Sequence, residues 1–97
     1  MRLTWKNSTP GPRQRALKHS IIEARSDPSL PWSTVNIVPV PGQALDLDPA
    51  FAPGDYEMRL TEVDVGNVAA PPAKCPVIPV SIGFDPPSGA TEFAFTP

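Results

Sequence analysis

Phe51-Ala-Pro-Gly-Asp-Tyr-Glu-Met-Arg-Leu-Thr-Glu-Val-Asp-Val-Gly-Asn67 carries the reading of this chain. Pro53-Gly54 breaks the backbone, because Pro fixes φ and Gly accepts a positive one. From Tyr56 the residues alternate, with Tyr56, Met58 and Leu60 expected on one face and Glu57, Arg59 and Thr61 on the other. That period of two marks an antiparallel strand with one wet face. Asp64 to Asn67 then closes the strand with turn formers. The segment points to an architecture and to no reaction.

The surrounding sequence repeats the theme. Ninety-seven residues allow one domain with a modest core. Fifteen prolines, about three times the usual share, are scattered among Val, Ile, Leu and Trp. They punctuate short strands and disfavour long helices, so the chain reads as all-β. Arg2 to Lys6 alternates, setting Leu3 and Trp5 on one face of a first strand, and Asn7 to Pro12 is a loop. Arg13 to His19 reads as a loop leading into a strand, with a short helical turn as the other option. Ser20–Arg25, Trp32–Val38 and Gln43–Asp48 are further strands, the last with Leu45 and Leu47 inward and Asp46 and Asp48 outward. A sixth runs from Cys75 to Ile82 and carries Pro76 and Pro79. Proline cannot donate to a ladder, which places this strand at an edge or at a bulge. Proline there also hinders pairing with a foreign sheet.

The domain is read as residues 1–83, with residues 84–97 as a C-terminal extended arm bearing Phe84, Phe93 and Phe95. The formal charge of −2 is unevenly spread. Residues 1–25 hold six Lys/Arg against one acid, and residues 26–97 two against nine. Such polarity suits head-to-tail contact between copies, or docking of the basic end on an acidic partner. Cys75 is the single cysteine, so there is no internal disulfide and no Cys-based metal site, and its apolar neighbours suggest a buried thiol. The N-terminal residues lack the apolar run of a secretory signal, and no segment approaches membrane-spanning length. The expectation is a protein made and used without export.

Taken together, these pieces resemble a fibronectin type III-like domain, within the immunoglobulin-like β-sandwiches. Leu3-Thr-Trp5 is similar to the second strand of that fold, and Ile21–Ser26 and Trp32–Pro39 to the third strand and its successor. Phe51-x-Pro53-Gly54-x-Tyr56 resembles the family's corner, in which the phenol caps backbone. The resemblance spans residues 2–82 and implies a small antiparallel sandwich of six to seven strands. Leu3, Trp5, Tyr56, Met58 and Leu60 are its expected core anchors. Two departures stand out. The family's first strand is missing, unless residues 84–95 supply it in the same or a neighbouring molecule. Glu62 also falls where a small apolar residue is expected.

Catalytic chemistry finds little footing. His19 is the only imidazole and has only Glu23 nearby in sequence. Asp46, Asp48 and Asp55 are hard oxygen ligands, but their spacing fits no calcium loop and suits a solvated strand face. The basic run Arg13-Gln-Arg-Ala-Leu-Lys-His19 lacks interleaved aromatics, so it favours an acidic protein surface over nucleic acid. Trp32, following a Pro turn, is a weak candidate for carbohydrate stacking.

What the resemblance implies is a structural module and not an enzyme, with no cofactor, no metal and no membrane or nucleic-acid partner. The class it most resembles is the accessory virion protein of a tailed bacteriophage, assembled in the host cytoplasm. Within that class a capsid decoration (cement) protein is expected, binding the major capsid protein or another virion protein, with self-association as a further possibility. Arg13, Arg15, Lys18, Phe84, Phe93 and Phe95 are the expected partner contacts. A tail or neck component, a carbohydrate- or surface-binding module of a larger secreted protein, and an intracellular peptide-binding adaptor are the alternatives.

Overall fold

Six strands and one short 3-10 turn make up the regular structure of a computed structural model that describes residues 1–83 and 87–97. The strands are β1 (Arg2–Thr4), β2 (Leu17–Arg25), β3 (Ser33–Pro39), β4 (Ala44–Asp46), β5 (Gly54–Asp64) and β6 (Val77–Ile82). They form two antiparallel sheets, a two-stranded one of β1 and β4 and a four-stranded one ordered β3-β2-β5-β6. Neither sheet closes into a barrel. The chain is all-β, as its alternation and proline spacing predict.

The long pair β2–β5 organises the core. Ser20, Ile22 and Ala24 stand opposite Glu62, Leu60 and Met58, and residues directly opposite share a face. Ile22 and Met58 are each only 2% exposed. Burying a side chain of this size contributes about 1.5–3 kcal/mol. The small sheet covers this face, bringing Leu47 against Ala24, Met58 and Val80, with Leu3, Leu45, Phe51 and Tyr56 packed around them. Val35 joins them from β3, at the point where the β2–β3 register slips by one residue.

Each turn has a local cause. Gly54 holds a φ of 153° at the start of β5, a conformation L side chains rarely adopt. The Tyr56 hydroxyl donates to the Ala52 carbonyl at 2.8 Å, and the Phe51 and Tyr56 rings meet edge to face at 5.0 Å. At the far end of β5 the Asp64 carboxylate accepts from the backbone N–H groups of Gly66 and Val68, while Asn67 takes a left-handed φ of 61°. Asn is among the few residues that adopt that region readily.

β6 lies at the edge of the four-stranded sheet. The Leu60 N–H donates to the Pro76 carbonyl, a bond that asks nothing of the missing proline N–H. Hydrogen-bonded and non-bonded pairs alternate along an antiparallel ladder. Pro79, opposite Glu57, therefore falls in the non-bonded set, with its nitrogen turned outward.

Several boundaries and faces differ from expectation. The first strand ends at Thr4, and β2 begins at Leu17 instead of Ser20, inside the segment read as a loop leading into a strand. Cys75 precedes β6 instead of starting it. The outer face of β5 is not uniformly wet, since Thr61 and Val63 are buried at 8% and 7% exposure. The loop after β5 folds back over them: the Ala70 N–H donates to the Glu62 carbonyl, and the Thr61 hydroxyl reaches the Cys75 sulfur at 3.4 Å.

Candidate interaction surface

Residues 87–97 have no regular secondary structure and are exposed throughout. Phe93 is 101% exposed and Phe95 89%. The radius of gyration is 19.4 Å, against about 12.5 Å for a globular chain of this length. The longest dimension is 80 Å, whereas the eleven residues of β5 span only about 36 Å, so much of the length belongs to the arm. Phe84 lies outside the described residues.

A groove of about 320 Å³ opens between the two sheets on the β1 side. It is lined mainly by Leu3, Trp5, Ile22, Met58, Leu60 and Ile78. Of the expected anchors, Met58 is buried, Leu3 and Tyr56 pack on the core cluster, and Trp5 and Leu60 are half-buried along this groove. The Trp5 indole N–H is satisfied locally by the Asn7 side-chain oxygen at 3.0 Å. Among the described residues β1 pairs only with β4, so its other edge is unpartnered.

The basic segment is brought to the turn after β5. Arg15 approaches Asp64 at 3.8 Å, and the Lys18 ammonium donates to the Asn67 side-chain oxygen at 2.9 Å. Arg13 is exposed beside the same turn. The Arg15 guanidinium lies over Gly66, 2.9 Å from where a Cβ would stand, so a side chain there would push the exposed arginine aside. Part of the positive charge is thus spent within the chain.

The outer face of the four-stranded sheet carries a cluster that sequence reading missed. Glu23 faces Arg59 and Arg25 faces Glu57 directly across β2 and β5. Arg59 donates from Nε and Nη2 to one Glu23 oxygen at 3.1 and 2.8 Å. Arg25 Nε and Glu57 Oε1 are buried atoms 3.5 Å apart that attract by charge without hydrogen-bond geometry. Trp32 covers both pairs, its ring centre 4.1 Å from the Arg25 guanidinium carbon and 4.7 Å from that of Arg59. The local signals are the outward Glu57 and Arg59 and a tryptophan at the head of the third strand, and none of them says that these residues meet.

The residues weighed for chemistry stay apart. His19 stands opposite Val63 and Pro39, while Glu23 is taken by Arg59. Asp46 meets Arg2 at 3.5 Å, Asp48 accepts from the Ala50 N–H, and Asp55 accepts from the Ser81 hydroxyl. Among the described residues no three metal-capable side chains gather. Among the same residues no helix is long and apolar enough to cross a membrane.

Compared with family models, curated proteins and solved structures, the chain matches none.

Proposed function

We propose that this chain is a non-enzymatic structural protein of a tailed-phage virion, acting as a capsid decoration protein that is held by neighbouring subunits. The observation that carries the reading is the projecting arm with both phenylalanines in water. Burying one such ring contributes about 1.5–3 kcal/mol, so a partner surface that accepts the arm gains a stable contact. Repetition over many symmetric copies multiplies modest contacts into firm attachment.

The sheet order supports an immunoglobulin-like reading. β3-β2-β5-β6 facing β1-β4 is the arrangement expected of a fibronectin type III-like domain lacking its first strand, and the Tyr56–Ala52 bond fits its corner. The step from that fold to a virion is analogy, since one sandwich serves many functions. The carbohydrate alternative is weakened because Trp32 is engaged by Arg25 and Arg59.

Cosedimentation with intact particles tests the proposal. The protein is expected to band with shells and to lose occupancy when residues 84–97 are deleted. A chain that stays unbound sinks the virion reading, and full occupancy by the truncated protein removes the arm from it.

A further inference from the structure

We infer that the arm of one copy adds as a strand to the open edge of β1 in a second copy, filling the groove beside it. The inference rests on the arm's joining role and not on the identity of the larger assembly.

The backbone register makes the receiving edge specific. On the β4 side the Met1 carbonyl accepts from the Leu47 N–H, and the Trp5 N–H donates to the Gln43 carbonyl. Bonded and non-bonded residues alternate, so the N–H and C=O groups of Arg2 and Thr4 point away from β4. Such an edge is a template for an added strand. Leu3 and Trp5 point from the same strand into the apolar groove.

The arm offers the complement. Phe93 and Phe95 are two residues apart and so share one face when the backbone is extended. Placed antiparallel with Phe95 opposite Leu3, the arm sets Phe93 opposite Trp5 and both rings over the groove. Ala94 then stands opposite Thr4, and Glu92 opposite Lys6 on the solvent side, a pairing of opposite charge. Slipping by two residues moves Phe95 to Met1, beyond the strand, and loses this match. Glu92 has a φ of 56° in the free arm and turns to an extended value on docking.

A second copy is the occupant because the arm runs away from its own domain, making the molecule 80 Å long while both rings stay in water. Every copy then presents one arm and one slot. Such a contact is heterologous, and it closes into a ring or continues as a row according to the rotation between copies.

Sedimentation of the full-length protein over a concentration series tests this. Association is expected, and Phe93→Ser/Phe95→Ser should weaken it by roughly 100-fold or more, the equivalent of two buried rings. An oxidised mixture of Thr4→Cys and Ala94→Cys chains should give disulfide-linked heterodimers. A protein that stays monomeric at millimolar concentration overturns the inference. So does association that ignores the two substitutions, or a Thr4→Cys/Ala94→Cys double variant that closes only on itself. Particle binding is read separately, so its failure strikes the virion proposal and leaves strand capture standing.

Discussion

Glu62 and Ser8, 54 residues apart, are joined twice: the carboxylate accepts from the Ser8 N–H at 3.0 Å and from its hydroxyl at 2.7 Å. This explains an acid at a position where alternation calls for a small apolar side chain. The connection after β1 crosses the end of the core face, and Glu62 holds it there while Ser20, opposite, is 1% exposed. Replacing Glu62 by Ala should cost about 1 kcal/mol, below the ~1.5–3 kcal/mol of bonds to a charged group because the site is exposed to solvent. Chemical denaturation measures the loss, and faster hydrogen exchange at the Ser8 amide locates it. An unchanged Ser8 amide would dismiss the clip.

Tyr56→Phe keeps the ring against Phe51 and removes only the hydroxyl that donates to Ala52. The expected loss is about 1 kcal/mol, that of one intramolecular hydrogen bond. A Phe variant as stable as the parent would show that ring packing alone fixes the corner.

Trp32→Ala removes an indole shared by Arg25 and Arg59 and should destabilise the domain by about 1–2 kcal/mol. A double-mutant cycle of Trp32→Ala with Arg59→Met isolates one of the two contacts. Coupling indistinguishable from zero would reduce Trp32 to a bystander.

Asp27 holds its carboxyl below the ordinary carboxylate value, first because the Ser29 hydroxyl donates to it and then because the Ser29 N–H does, with a weaker contribution from the Arg25 charge. A depressed acid contributes stability that is present above its unfolded pKa and lost as pH falls through the folded one. For this exposed turn the effect is confined to acid conditions. In an NMR titration Ser29→Ala should move Asp27 upward toward the ordinary value, and a titration unmoved by the substitution would refute the assignment.

What the sequence displays and what it hides divide along the distance between partners. Pro53-Gly54, the alternation from Tyr56 and the prolines in and just before the last strand are local signals, and they locate β5 and the edge position of β6. The burial of Thr61 is invisible locally, because its cover arrives from Cys75 across a loop. Lys18 likewise reads as free positive charge until the fold brings Asn67 to it. Trp5, paired by alternation with Leu3, is half-buried because β1 has a neighbour on one side only. The arm and the missing first strand are legible in the sequence, whereas the groove and the register that matches it to the arm require the fold and the direction of each hydrogen bond along β1.

The seat of Cys75 has a practical consequence. Its sulfur is enclosed by the Thr61 hydroxyl and the Ala70 and Pro71 carbonyls, so a maleimide reagent meets it only after the covering loop lifts. A single mass increment therefore counts the molecules that have opened, giving the protein a built-in clock for its own breathing without any added label.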